Sequence, residues 1–592
     1  MKLKGRRVGI GRRTAAIAAA VVVAGPVSLL AAFSAGASAD SNVNAGIPAA
    51  LQPGKLLVST SIWQQDPNVI AGTTMLPPGC SQAAGAPNPC VTAQAGGSYP
   101  FVFNNAPIDG SFGVTQPIVL EQINPASGKV MGLLTVPNYP VPTNADQLVT
   151  SFSSKSELAL NQSTDGNAVT FMGYVAPVAE LDVSNSNTPG AVDPTNSGGT
   201  TPYHRAVSEL NRGGQFQFTE TNAYSGNNGR AAILNSATGT LYTAGNAGNG
   251  ANPEPQAVVE GAGSQILAPS SLPESDQTPG APTPMGNFNI LQLPMYTTAD
   301  KSAKDDNFRG LTVSGNVVYM TKGSGGNGID TVYFLDTTNT ACPTTPQSGG
   351  AGIPGPEASL PAVTSFTFPT FSTSDSALGL TKKNPGLTPT NMCVLNGFPT
   401  ALAKNATNAS DYPFGIWFAN PTTLYVADEG SGDNAFSPAT NTYNAAAAST
   451  TAGLQKWVFD GTAWKLAYTI QNGLNLGIPY SVANDAKGNS YPTGDNTYVD
   501  SNGKVQTGPW TPSTDGLRNL TGQVNANGTV SLWATTSTVS WSGDQGADPN
   551  GLVAVTDNLS ATPLPAGESF STVVAPTYGQ VVRGVSFTPG TK

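Results

Sequence analysis

One two-strand unit recurs along this chain, and the recurrence constrains the fold more than any single residue does. Residues 229–245 read GRAAILNSATGTLYTAG, 308–323 read FRGLTVSGNVVYMTKG, 414–430 read FGIWFANPTTLYVADEG and 517–535 read LRNLTGQVNANGTVSLWAT. An earlier relative, ELALNQSTDGNAVTFMGY, spans 157–174. The unit opens with an Arg or Phe and a small residue, then continues as an alternating apolar strand. It turns through Asn, Asp, Gly or Pro and closes on an apolar strand carrying an aromatic. That pattern specifies a pair of antiparallel strands with one half-buried face. RAVSELNRGGQFQFTET (205–221) and GLQKWVFDGTAWKLAYTI (453–470) supply further pairs, the second around an Asp460–Gly461 turn. The repeat is therefore a four-stranded antiparallel sheet at irregular spacing, and radial stacking of such sheets predicts an all-β, single β-propeller.

The ends of the chain fit this scheme. VVRGVSFTPG (581–590) matches only the first strand of a unit, whereas GKLLVSTSIW (54–63) resembles a second strand. Together they would complete one blade from both extremities and close the ring. Counting the stretch 476–505 as a degenerate blade gives seven blades, with six or eight also admissible. Gly/Pro/Ser/Thr-rich insertions at 176–202, 246–285, 337–395 and 431–451 are expected to decorate the rim and set ligand choice.

Residues 1–39 read as an export signal. A basic start is followed by the apolar TAAIAAAVVVAGPVSLLAAF and a small-x-small cleavage site after Ala39. Two Arg pairs, Arg6–Arg7 and Arg12–Arg13, admit a twin-arginine route beside ordinary secretion. The propeller would then occupy 40–592, as a secreted or extracellular monomer without membrane insertion after cleavage. Only 10% of residues are charged, with a net charge of −10 and a pI near 4.7. Clustered cations are what nucleic acids and anionic membranes demand, so neither is expected as a partner. The four cysteines, Cys80, Cys90, Cys342 and Cys393, suit disulfides in an exported chain, with Cys80–Cys90 and Cys342–Cys393 as the local choice among three pairings.

YPFGIWFANPTTLYVADEGSG is similar to an NHL-type propeller repeat, through Pro413, Gly415, Ile416, Leu424, Tyr425, Val426, Ala427 and Asp428. The Asn-Asn-Arg continuation of that family is displaced by the insertion at 431–451. More broadly the chain resembles large secreted bacterial propellers of unassigned activity. The resemblance implies a fold and no particular chemistry.

Six arginines follow the leader, and four of them (Arg230, Arg309, Arg518 and Arg583) hold the same place, just before the inner strand of a unit. In a propeller that place faces the channel at one mouth, where guanidinium groups would suit a carboxylate, sulfate or phosphate. Repeated positions serve repeated architecture first, so bracing between blades is the stronger reading of the two. Asp428, Glu429 and Asp433 at the end of a second strand, and Asp305 and Asp306 directly before the Arg309 strand, are candidate oxygen ligands for calcium, although no twelve-residue calcium loop is present and solvated turn carboxylates are the stronger reading. His204 is the only histidine and no G-x-S-x-G elbow accompanies it, which argues against a Ser-His-Asp mechanism. GSGGNG (323–328) lacks the Lys and helix of a phosphate loop. Trp510 and Trp541 sit in polar loops, where they would either stack on sugars when exposed or anchor those loops to the rim.

Two functions follow. The first is a binding or scaffold module with its ligand at the channel mouth, the partner being an extracellular polymer, a small anion or a surface protein. The alternative is a calcium-assisted hydrolase or lyase of the lactonase-like propeller kind, using the carboxylates and arginines. A quinone-dependent dehydrogenase ranks last, for want of a Trp-bearing blade repeat.

Overall fold

A computed structural model of the chain describes residues 51–64, 69–70, 73–76, 83, 90–92, 113–136, 147–152, 154–194, 201–248, 251, 253–269, 304–315, 317–336, 351–352, 370–374, 381–388, 392–403, 411–499, 505–541 and 545–591. The expected leader lies outside them.

The strands form radial fans, each an antiparallel meander. Fan I joins both ends of the chain: Gln580–Phe587 is innermost, followed outward by Leu56–Ile62, Thr115–Ile123 and Val130–Thr135. Leu56 pairs with Phe587 and Ile62 with Gln580, so the closure predicted from the sequence is present. Fan II runs outward through Asn161–Gln162, Ala168–Ala176, Arg205–Asn211 and Phe216–Thr221. Fan III holds Gly229–Asn235, Thr240–Gly245 and Ser264–Leu267. Fan IV holds Leu311–Ser314, Val317–Lys322, Thr331–Leu335 and Met392–Leu395. Fan V holds Pro413–Asn420, Thr423–Asp428, Gly453–Phe459 and Trp464–Ile470. Fan VI holds Ser513–Val524, Thr529–Val539, Leu552–Asn558 and Ser571–Val574. Gln147–Ser151 pairs with strands of both fan I and fan II and fuses them into one nine-stranded sheet.

Contacts between innermost strands run round the whole ring. Asn161 Nδ2 donates to Ala232 O (3.0 Å), joining fans II and III, and Arg230 donates to Phe308 O (2.8 Å), joining III and IV. Gly310 lies against Phe414 O and Gly415 against the Arg518 carbonyl, so fans IV, V and VI approach backbone to backbone. Asn519 Oδ1 accepts Val585 N–H (2.7 Å) between fans VI and I, and Gly584 meets Leu158 O between I and II. A Cβ at Gly415 or Gly584 would overlap the neighbouring main chain, which explains the small residue after the recurrent Arg or Phe.

Six fans are traced among the described residues, against the seven favoured by the sequence. The difference comes from 476–505. That stretch does not form a fan; it contributes the hairpin Asp495–Val499 with Val505–Pro509, set apart from the ring. Its strands are short and polar, and its hairpin is held from below by the indole of Trp541, against which Gly508 lies directly. The insertion at 431–451 is likewise ordered, as a small hairpin followed by the one-turn helix Asn444–Ala448.

The apolar core lies between fans, where their faces meet. Phe308, Met320, Tyr333 and Val426 pack fans IV and V together, while Leu517, Leu532 and Val555 of fan VI pack against Tyr425 and Ile470 of fan V. Burying such side chains contributes about 25 cal/mol per Å² of apolar surface.

The meander fixes which loops share a face. Each innermost strand enters from one side of the disc, and the connections from second to third strands return to that same side. These include 177–204, 246–263, 429–452 and 540–551. The segment 471–512, linking fans V and VI, opens there too. We call this the mouth face. The opposite, far face carries tight turns such as 236–239, 421–422 and 525–528.

Candidate anion site on the propeller axis

The four repeated arginines all arrive at the mouth end of innermost strands, and all are buried, with exposures between 4 and 6%. Arg230 donates to Asn307 and to Phe308 O, Arg309 to Ser156 and Ser324, and Arg583 to Ser61 Oγ (3.3 Å) and Phe152 O. Arg518 Nε lies 3.2 Å from Glu429 Oε2. Most of these contacts cross from one fan to another, so the arginines do brace the ring. Arg309 of fan IV reaches Ser156 at the start of fan II, which carries its guanidinium inward past fan III.

The same register position is occupied in every fan. Following the ring from fan I, the residues are Arg583, Glu157, Arg230, Arg309, Phe414 and Arg518. Glu157 replaces an arginine in fan II and is saturated with donors. Thr150 Oγ1 (2.7 Å) and Ser151 N–H (2.9 Å) meet one oxygen, Tyr174 O–H and Asn228 Nδ2 (2.8 Å) the other. A carboxylate held by that many donors is a structural node rather than a reagent. Glu157 was not among the candidate residues, although SELA at 156–159 stands where FRGL and VRGV stand in other fans.

Glu429 is the hub. It follows the second strand of fan V, buried to 3% exposure, and Lys155 reaches its Oε2 from fan II on the far side of the ring at 3.5 Å. Burial by itself would raise the Glu429 carboxyl, but Lys155, Arg518 and Arg309 overcome it and hold the group below its ordinary range. Lys155 feels the opposite balance. Glu429 supports its charge, yet burial and the nearby Arg518 and Arg309 lower it overall. Desolvation and the neighbouring Arg309 depress Arg230 well below its ordinary value. Asp515 sits under this group, its Oδ2 accepting Gly432 N–H (2.7 Å), and burial with the Glu429 charge pushes it up to about 7.

Five cationic side chains therefore share the axis region with Glu429 and Glu157. Within this cluster Arg230 Nε, Arg309 Nε, Glu429 Oε1 and Asp515 Oδ1 are buried without a hydrogen-bond partner among the described residues. Buried polar atoms in native proteins are normally satisfied, by protein groups or by ordered water. Lys155, 35% exposed, is the solvent end of the group.

The candidate calcium ligands are not gathered. Asp428 takes Tyr412 N–H (2.7 Å), Gly430 N–H (2.9 Å) and Gln455 (3.2 Å), and burial pushes its carboxyl up to about 8. Asp305 and Asp306 are buried before the fan IV strand, and burial raises Asp306 to about 6. Asp433 is exposed and accepts Ala435 N–H (2.9 Å). No group of three or more His, Cys, Asp or Glu suited to a metal ion occurs among the described residues. His204 Nδ1 lies 3.1 Å from Glu220 Oε2, between the outer strands of fan II.

Trp510 and Trp541 are buried, at 8 and 9% exposure, which removes the stacking role that required them to be exposed. Trp510 packs with Tyr491, Tyr578 and Phe152, and Trp541 with Tyr443 and Val539. Both anchor the 471–512 segment to the mouth face, as loops rich in Gly and Pro need large apolar side chains to hold them down. Cys393 is buried in fan IV and no free cysteine occurs among the described residues, whereas Cys80 and Cys342 fall outside them.

No family model matches the chain, and no curated protein matches it. Solved structures do align with it. A protein from Lactobacillus plantarum is 9% identical over 80% of this chain and 98% of its own, with a TM-score of 0.28. A polysaccharide lyase described as an ulvan lyase bound to -[GlcA(1-4)Rha3S]- is 10% identical over 80% and 91%, at 0.29. The Parainfluenza virus 5 hemagglutinin-neuraminidase with the ligand DANA is 10% identical over 80% and 84%, at 0.24. Likeness at that level carries no argument about a site, and the reading of this chain rests on its own residues.

Proposed function

We propose that this chain is an exported binding module whose propeller axis takes an anionic group of an extracellular ligand. The observation that supports it is the cationic excess around Glu429, with guanidinium N–H groups left over, inside a protein that is acidic as a whole. Carboxylate, sulfate and phosphate all accept from such donors, and in a dry site each charge-assisted bond is stronger than in water. The ligand approaches past Lys155, from the mouth face. A polymer end or a small anion fits that approach better than the middle of a chain, since the other members of the cluster are buried.

Titration calorimetry with sodium sulfate and with glucuronate tests the reading. Binding is expected, weakened at least about tenfold in Lys155→Met and Arg309→Gln while both variants stay folded, which corresponds to losing one charge-assisted contact. No heat with any of these anions, or equal affinity in both variants, would overturn it. Amino-terminal sequencing of protein recovered from culture medium tests export, with Asp40 expected first.

One feature favours the hydrolytic alternative. Glu429 is held ionised while adjacent Asp515 is pushed to about 7, and two carboxyl groups driven apart in this way are what acid–base catalysis uses. Calcium is then a further proposal, checked by melting the protein with calcium and with a chelator.

A further inference from the structure

A second buried charged cluster lies away from the axis, between fans V and VI. Asp557, fully buried near the end of the third strand of fan VI, accepts hydrogen bonds from Tyr425 O–H and from Tyr468 O–H (2.6 Å). Lys456, equally buried, lies 3.1 Å from Asp557 Oδ2 and donates to Tyr468 Oη (3.0 Å), Asn558 O (2.7 Å) and Ala561 O (3.0 Å). Its ammonium hydrogens are all committed.

The chain then runs into residues 559–570, a twelve-residue connection where the corresponding connection of fan V takes four residues, 460–463. This segment returns Glu568 to the cluster it has just left. Glu568 Oε1 accepts Asn558 N–H (3.1 Å), whereas its Oε2 is buried without a donor among the described residues. The end of the segment docks through Asn472, which donates to Glu568 O (3.1 Å) and accepts Phe570 N–H (2.8 Å). Residues 562–564 and 566–567 are exposed.

The groups facing Glu568 are thus Lys456, Tyr425 and Tyr468 from three strands of fan V, and Asp557 from fan VI. One saturated cation meets two carboxyl groups. A neutral Glu568 supplies from itself the proton that the pair lacks, while an ionised one would place a second negative charge beside Asp557 in a desolvated cleft. Burial and Asp557 accordingly push the Glu568 carboxyl up to about 7.

We propose that residues 559–570 form a proton-latched flap, docked over the Lys456–Asp557 cluster while Glu568 is protonated and released when it ionises. Release opens the cleft between fans V and VI on the face opposite the anion site.

The test is thermolysin cleavage and hydrogen exchange of the full chain from pH 5.5 to 8.5, always as the ratio of wild type to Glu568→Gln. The ratio cancels the pH dependence of the protease and of exchange chemistry. It is expected to stay near one below pH 6 and to rise at least about tenfold by pH 8.5, the effect of one unit of pKa displacement. Mass spectrometry should place the new cuts within 559–570. A flat ratio overturns the proposal, and so does a rising ratio whose cuts fall elsewhere in the chain.

Discussion

The two faces of the disc use the same residue type in opposite ways. On the far face, Asp460 closes a turn in the open, accepting hydrogen bonds from Thr462 and Ala463 that hold its carboxyl down at about 2. On the mouth face, Asp428 and Asp515 are buried and driven up to about 8 and about 7. Aspartate at a solvated turn shapes the backbone, whereas aspartate at the inner end of a strand becomes a group with adjustable charge. The faces differ because a hairpin turn needs only a few residues to reverse a strand. The opposite ends, by contrast, converge on an axis where charges cannot avoid one another.

Breaking the mouth-face cluster should cost most. Glu429→Leu removes the carboxylate that Lys155 and Arg518 share and leaves their charges uncompensated, so urea unfolding should show a loss of about 3 kcal/mol. Wild-type stability there would place the cluster in water and dissolve the contrast. Gly415→Val should come next, at about 2 kcal/mol, because the new side chain meets the Arg518 carbonyl and the Leu520 amide of the next fan.

The contrast also has a pH signature. Asp306, Asp428 and Asp515 have folded pKa values of about 6, 8 and 7, all above the usual carboxylate range. Such groups contribute stability in full below about pH 4, and that contribution is lost as pH rises through their folded values. The melting temperature should therefore fall between about pH 5 and pH 8.5, and Asp515→Asn should flatten the upper part of that fall. The smallest effect belongs to the far face. Asn525→Ala removes side-chain donors to Thr529 and Ser531 in one turn, and should cost about 0.5 kcal/mol with no change in anion binding.

Much of the fold was legible because it depends on short-range alternation. The strands at 229–245, 308–323, 414–428 and 513–539 each carry their own period of two and their own turn, and the pairing of 56–62 with 580–587 could be read from two incomplete units. The blade count was less legible. Residues 476–505 have strand-like composition but lack an inner strand, and only packing against Trp541 and Trp510 decides that they lie apart from the ring. The same packing explains why indoles in polar loops are buried: loop composition reports the backbone's need for turns, not where a large side chain finds its partners.

The arginine register was visible in the sequence, and so was Glu429 as an acid at a strand end. That Lys155 meets Glu429 across the ring was not, because the two are separated by more than two hundred residues and belong to different fans. Sequence periodicity determined the strands, the turns and the closing of the ring, since these follow from local sterics and from one buried face per strand. Which charges confront each other on the axis, and hence which acids lose their ordinary pKa, was decided only by the tertiary structure, because electrostatic strength depends on distance and desolvation that no local pattern encodes.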